Sequence, residues 1–598
     1  MKKYSVTIVL ILFASHLSAQ PTNSFPVYAG LLKIPNYEDS VSGNIEFLAL
    51  KRIFDIQGIP YQIIINPTEI SSFPTIFTAG SLLDSKIDTQ IINLLYDYVE
   101  GGGVVVSTGQ IGKHFYPLFG VTHYTPSRKR YRMHFSGTDQ ALKYINRPQE
   151  STISLGNGEE HLYDEVIWTH GYRVSKGTKP LAVFDDGSVA FCGSRYGRGK
   201  TYLLGVTYTD TVLLPQLGKD YEAQRKYVNA FEPSADVIML ILKAIYQAHT
   251  KPFIYLSPIP FAKTTALILT HDVDAQTSFV DSLKYADLEK KYGVTSTFFE
   301  TTKTFVDAMD IDYYNIEDNK IAIKQLKRRG WDIGSHTVSH SRDFADITEG
   351  TPLESLKTYH PQNQKTVYGE VIVSKELLDR DIPGQKTISF RAGDLAFPFG
   401  LIGILEEAGY LYDSTFSAND VLSAFPFFAF KNRKIGSEVS KVIEIPVTLD
   451  DALDFLTEKS LDRAVKKWME VATANMENEG ITVLLVHPSD TRNKNYKLIA
   501  QEKLMNHILK VKGWIGNLTA FGEFIRYRNR IKLKVVQDQE KNLIIKTNTQ
   551  QIHPMVGFVI GNLPKENITV IVKNNEGEDL PYRVIKEKTV FRIVSYQE

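Results

Sequence analysis

At 598 residues the chain is too long for one hydrophobic core and implies two to four domains. An apolar content of 43% and a charged content of 23% are those of an ordinary globular protein, which excludes a disordered or fibrous chain. The 68 basic and 68 acidic residues cancel, so no overall charge draws the chain to nucleic acid or to an anionic membrane.

Met1-Lys2-Lys3 is a basic start, Val6 to Ala14 a short apolar core, and Leu17-Ser18-Ala19 a small-residue cleavage pattern. Together they predict a secretory signal peptide over 1–19, cut near Ala19, and an exported mature protein, periplasmic or secreted. The apolar run falls short of the roughly 20 residues a membrane span requires, and no later stretch is long and apolar enough to replace it. No cysteine stands at the cut for lipid attachment. Cys192 is the single cysteine, so no intramolecular disulfide forms and the cores must supply the stability. Its neighbours Ala190, Phe191 and Gly193 predict a thiol packed in a strand.

From 20 to 250 strand and helix signals alternate. Val27 to Leu32, Tyr61 to Ile65, Thr75 to Ala79 and Val104 to Val106 read as strands. Ile45 to Ile56 is amphipathic, and Asp88 to Val99 has helical spacing, with Ile91, Ile92, Leu95 and Val99 on one face. Gly101-Gly102-Gly103 then ends that helix. Such alternation predicts a parallel α/β sheet. This stretch resembles the glutamine-amidotransferase-like, flavodoxin-like domains attached to some carbohydrate enzymes. An active amidotransferase needs a nucleophilic cysteine on a strand-to-helix turn, whereas here Ser107-Thr108-Gly109-Gln110 follows the strand, so the expected domain is a non-catalytic docking or binding module. Arg198-Gly199-Lys200-Thr201 lacks the spacing of a phosphate-binding loop and reads as a turn.

Pro252, Pro258 and Pro260 mark a linker into a second domain at 251–527. Beyond it, 528–598 carries short alternating runs such as Leu543 to Lys546 and Ile568 to Val572, and reads as a small all-β module.

The chemistry gathers in the second domain. Five β-like runs there end in polar residues: His271-Asp272-Val273-Asp274, His336 to His340, Arg391-Ala392-Gly393-Asp394, Asp413-Ser414-Thr415 and His487-Pro488. Functional residues at the C-terminal ends of successive parallel strands are what a β/α barrel produces. His336 and His340 are four apart, so a helical turn or tight loop aims both rings at one point. Two imidazoles and a carboxylate suit a first-row divalent metal with one position left open for water.

In order and spacing, residues 263 to about 525 resemble the polysaccharide deacetylase (NodB-homology) catalytic domain of carbohydrate esterase family four. The resemblance is carried by the aspartate motif, Val294 to Phe299, Gly330 to His340, Phe390-Arg391-Ala392-Gly393, Gly409 to Ser414 and Leu485-Val486-His487. It implies a distorted (β/α) barrel and a metal-dependent, zinc-type hydrolase that removes N-acetyl groups from a glycan such as peptidoglycan or a chitin-like polymer. In that reading Asp272 is the general base, Asp274, His336 and His340 hold the metal, Arg391 orients Asp272, and His487 is the general acid. Asp450 or Asp451 would tune His487, and a backbone N–H near Tyr412 or Arg391 would help the metal hold the oxyanion. The family more often has adjacent aspartates. Here Val273 separates the pair, so Asp272 and Asp274 could exchange roles, and His271 stands where an aromatic residue is usual. An O-acetyl-glycan esterase, or a non-catalytic glycan-binding protein on the same scaffold, would fit the same motifs. The oligomeric state is left open. Ser341 to Gln385 is longer than a plain connection and reads as an insertion shaping the cleft. Phe425 to Phe430 reads as a buried plug, with a substrate-lining loop as the alternative.

Overall fold

The computed structural model describes residues 27–595 apart from 35–40, 149, 156–166, 218–233, 303–311, 361–363, 418–424, 455, 489–493, 539, 541, 564–568 and 588–589. The signal peptide expected over 1–19 therefore lies outside the described residues, as does Ile568 at the start of one expected β-run. Among the described residues no helix is long and apolar enough to cross a membrane.

The N-terminal sheet begins as its alternating pattern predicts. Strands Tyr61–Ile64, Ala29–Leu32, Thr75–Thr78, Val104–Thr108 and Gly199–Leu204 lie side by side and parallel. Helix Thr89–Glu100 is capped by Asp88, whose carboxylate accepts the Gln90 N–H, and it buries Ile91, Ile92, Leu95 and Val99. Beyond Gln110 the sheet departs from the βαβ expectation and pairs antiparallel through Val189–Tyr196 and Lys179–Phe184. Short turns with left-handed glycines, Gly187 (φ 81°) and Gly197 (φ 54°), make hairpins where a helix crossover would be needed to keep strands parallel. Cys192 is fully buried in one of these strands, and burial pushes its thiol up to about 12.

The second sheet holds the site. Its order is Phe427–Phe430, Val439–Glu444, Tyr412–Asp413, Ser389–Phe390, Asp332–Ser335, Thr297–Glu300, Ala266–Val273, Ile481–Val486 and Leu449–Asp450, with Trp514–Gly516 also paired to Ala266–Val273. All these pairings are parallel except that of Phe427–Phe430, and the sheet curls into a half-barrel with helices on its outer face. The strand Ala266–Val273 is buried along its whole length, which explains its unbroken apolar start. Leu267, Leu269 and Val273 pack outward against helix residues such as Phe279 and Trp468, while Ala266 and Ile268 pack with Tyr412, Phe521 and Phe524. The alternation therefore sends His271 outward and Asp272 to the opposite face.

The stretch read as a linker contains strand Phe253–Leu256, which pairs antiparallel with Gly557–Gly561. After Arg528 the described residues form strands and no helix, in a three-stranded sheet and in the four-stranded sheet that takes in Phe253–Leu256. The parts meet at Glu479. Its carboxylate receives Lys243 Nζ (2.7 Å), Tyr255 Oη (2.7 Å) and Arg592 Nη2 (3.2 Å). Lys243 has no exposed side-chain surface.

Burial opposes the Glu479 charge, but Lys243 and Arg592 outweigh it and hold the carboxyl down at about 2, against an ordinary 4.5. A depressed carboxyl contributes stability that is present above its unfolded value and lost as pH falls through the folded value. Stability is thus expected to drop between about pH 4.5 and 2. Glu479→Ala, which strands Lys243 unpaired in the interior, should cost about 3 kcal/mol or more in urea unfolding at pH 7 and flatten that acid limb.

Candidate active site

The sequence-predicted residues converge at the C-terminal ends of the curled sheet. Asp272 and Asp274 are two residues apart at the end of their strand, so both emerge on the same face. Asp272 is buried, with 4% of its side chain exposed, whereas Asp274 is 22% exposed at the opening. His336 and His340 sit on a tight loop rather than a helical turn, with Thr337 (φ 64°) and His340 (φ 50°) in the left-handed region. Their ring centroids lie 4.9 Å apart.

Arg391 has no exposed surface, and each end of its guanidinium is engaged. Nη1 donates to Asp272 Oδ1 (2.7 Å) and Thr270 Oγ1 (2.9 Å), Nη2 to Ser414 Oγ (2.9 Å), and Nε to the Ser414 carbonyl (3.0 Å). Burial alone would raise the Asp272 pKa. Arg391, with His336 and His487, outweighs that and holds the carboxyl below its ordinary value, so Asp272 is ionised at neutral pH.

His336 Nδ1–H donates to the Arg391 carbonyl (2.8 Å), which leaves the Nε2 lone pair facing Asp272 Oδ2 at 3.7 Å. Burial pushes its pKa down to about 4, so the ring is neutral at pH 7. His340 Nε2 lies 3.6 Å from Asp274 Oδ2. One donor atom each from Asp274, His336 and His340 falls within 4.8 Å of the others. Two imidazoles and one carboxylate at this spacing, with one ring fixed as a neutral donor, fit a single first-row divalent cation.

His487 faces the same point from the neighbouring strand, its Nε2 3.8 Å from Asp274 Oδ2. Its Nδ1–H donates to Asp451 Oδ1 (2.6 Å), which also accepts the His487 backbone N–H (3.1 Å). Burial works against a charged imidazole. Asp451 above all, with Asp274 and Asp272, overcomes it and raises the pKa to about 10. Asp450, Asp451 and His487 are close enough to form a second ligand-like group. Lys497 Nζ lies 2.6 Å from Asp451 Oδ2, however, and already supplies the cation there.

Three sequence readings are sharpened or corrected. Of the two candidate partners for His487, Asp451 makes the contact, while Asp450 accepts the Ala452 N–H and caps a short 3-10 turn. His271 is turned away from the site and pairs through Nε2 with buried Glu289 (2.8 Å), which also accepts from Ser296, Trp331 and Gln501. The backbone N–H groups of Arg391 and Tyr412 are unavailable to an oxyanion, because they donate to the Ser335 and Ile388 carbonyls (3.0 and 3.1 Å) as part of the sheet. Lys497 was not singled out from the sequence: it lies ten residues past His487 at the start of a helix, and no motif spacing marks it.

Residues 263–410 match the family model for polysaccharide deacetylase. The match spans Asp272, Asp274, His336, His340 and Arg391; Asp451 and His487 lie beyond it in sequence and join the site in space. A search of curated proteins returns no match. Among solved structures, the chain is similar to a candidate polysaccharide deacetylase from Mycobacterium smegmatis (19% identity, 44% of this chain and 91% of that one, TM-score 0.34). It is also similar to the Xyl-CE4 domain of a multidomain xylanase from the hindgut metagenome of Trinervitermes trinervoides (15%, 43% and 89%, TM-score 0.26). A third is a CE4 family pseudoenzyme from Bacillus anthracis (13%, 44% and 66%, TM-score 0.28).

Replacing Asp451 by Asn removes the charge that holds His487 up while leaving the ring partly enclosed as before. The His487 pKa should then fall from about 10 by several units, read by NMR titration of the imidazole signals. An unchanged His487 titration would mean that Asp451 does not set it.

Proposed function

We propose that the chain is an exported, metal-dependent deacetylase that hydrolyses N-acetyl groups of a glycan and releases acetate. The observation that carries this reading is an arginine-held carboxylate, Asp272, and an aspartate-held imidazole, His487, each close to a member of the Asp274–His336–His340 donor set (3.7 Å to His336 and 3.8 Å to Asp274). The two groups have pKa values pushed in opposite directions, as a base and an acid working at one pH require.

Asp274, His336 and His340 would hold the metal, taken as zinc from the donor types. A divalent cation bound there supplies Lewis acidity, polarising the acyl oxygen and acidifying a water. Asp272 accepts a proton from the attacking water through the oxygen that Arg391 leaves free, and Arg391 keeps the carboxylate ionised and aimed. The water oxygen bonds to the acetamide carbon. His487, protonated at Nε2, gives its proton to the sugar nitrogen as the carbon–nitrogen bond breaks, so acetate and a free amino sugar leave. Asp451, steadied by Lys497, stabilises the imidazolium before that transfer and fixes the ring orientation. Asp274, His340 and His487 are the partly exposed members of the set, which leaves the reacting point accessible to a polymer from one side.

Acetate release from N-acetylglucosamine polymers and from peptidoglycan tests the reading. Wild type should release acetate, a chelator should abolish it, and Asp272→Asn or His487→Ala should each lower kcat by about 10²- to 10⁴-fold. Release only from O-acetylated xylan would redirect the assignment to an esterase. No release from any acetylated glycan by metal-loaded protein would sink it.

The pH profile follows from the same two groups. Asp272 is active when ionised, so the rate rises with pH through its lowered pKa, below the usual carboxylate range. His487 is active when protonated, so the rate falls only as pH approaches about 10. A kcat/KM plateau across neutral pH is expected, and in Asp451→Asn the alkaline limb should move to lower pH.

A further inference from the structure

The loop between the two histidine ligands rests on a buried carboxylate that no part of the proposed chemistry uses. Glu370 has no exposed surface and lies in the first turn of helix Val367–Asp381, where the helix dipole favours a negative charge. Its Oε2 accepts two consecutive backbone N–H groups, from Val338 (2.9 Å) and Ser339 (2.8 Å). Its Oε1 accepts the hydroxyls of Ser339 (2.9 Å) and Tyr359 (2.7 Å). Val338 and Ser339 are the middle of the His336–His340 loop, flanked by the left-handed residues Thr337 and His340. Such a backbone persists in non-glycine residues only where the surroundings over-determine it. Four donors converging on one buried carboxyl group do that here.

Tyr359 belongs to the stretch after Ser341 that reads as an insertion. Its ring lies so close over Gly369 that a Cβ there would stand 2.1 Å from it. The insertion is thus pinned to the same carboxylate as the ligand loop.

We propose that Glu370 is the positioning residue that sets His336 and His340 for metal capture, with Tyr359 bracing it from the insertion. This rests on the reading of Asp274, His336 and His340 as metal ligands. Glu370 touches neither metal nor substrate, and it acts through the backbone of the loop.

The test is the Zn²⁺ affinity of the full-length protein, measured by competition with a chromophoric chelator well below the unfolding temperature. The visible spectrum of the Co²⁺-loaded protein is recorded alongside. Glu370→Ala should bind zinc about 10- to 100-fold more weakly, the range seen when support behind metal ligands is lost, and should alter the Co²⁺ bands. Glu370→Gln should restore near-wild-type affinity, because its carbonyl can still accept both amides while its NH₂ faces two hydroxyls able to turn and accept. Loss of stability alone would lower the unfolding temperature and leave the affinity of the folded protein and the Co²⁺ spectrum unchanged. If Glu370→Ala does not fold, Glu370→Asp, which withdraws the carboxyl group by one methylene, should show the same weakening. Wild-type affinity and spectrum in these variants would overturn the proposal. Failure of wild type itself to bind zinc, with His336→Ala no different, would instead overturn the metal reading on which it stands.

Discussion

The Arg391 guanidinium carries a full charge with none of its surface in water, and the site is organised around making that tolerable. An unpaired charge at such depth would cost several kcal/mol. Its N–H groups reach Thr270 and Asp272 on one strand and Ser414 just beyond another, and its flat face lies 4.5 Å from the Phe299 ring centroid. The Arg391 carbonyl, meanwhile, fixes the His336 ring. One residue therefore sets the ends of several strands, the ionisation of Asp272 and the tautomer of His336. A lysine could not replace it, because a point charge lacks the fork needed to reach these acceptors together.

Asp272 is buried and His487 partly so, and loss of surrounding water pushes each toward its neutral form. Each is returned to its charged form by one close partner, Arg391 or Asp451. Two such groups standing opposite each other attract across the gap, and each appears among the causes of the other's shift. The proposed chemistry uses that arrangement as a store of one proton and one vacancy. A cation held by Asp274, His336 and His340 would add positive charge close to Asp272 and further favour its ionised state.

The parts of the site that could be read from sequence were those governed by local period. In a strand two residues return to the same face, so D-x-D predicts two carboxylates together, and the same rule sends His271 to the helices. H-x-x-x-H within a short segment predicts converging rings whether the backbone is helical or looped. Choices between adjacent residues were not legible. Asp450 and Asp451 have the same chemistry, and only the 3-10 turn after Leu449 decides which one caps and which one reaches His487. Contacts across long separations were hidden too. Nothing local to Glu370 tells that its partners are Val338 and Ser339, some thirty residues earlier. The pairing of Phe253–Leu256 with Gly557–Gly561, across some three hundred residues, made a strand of what looks like a proline-marked linker. The N–H groups of Arg391 and Tyr412 themselves were hidden for a related reason: a strand-end position says where a residue sits, not whether its N–H is already spent on the next strand.

The aromatic run Phe425 to Phe430 shows how the N-terminal region bears on the second sheet. Phe427–Phe430 is the edge strand, antiparallel to its neighbour, and an apolar edge is a liability unless covered. Phe425 and Phe430 belong to the same buried core as Leu213, Ile238 and Ile245 of the N-terminal region. Arg52 lies over the Phe430 ring at 4.8 Å, and Arg433 donates to the Leu217 carbonyl (3.1 Å). The run is therefore a plug between two parts of the chain and does not line the cleft. Because the strand it protects leads through Val439–Glu444 and Tyr412–Asp413 to Ser389–Phe390, immediately before Arg391, cover applied at the edge supports the strand order that delivers the guanidinium. That gives the N-terminal region a physical reason to be attached that needs no chemistry of its own.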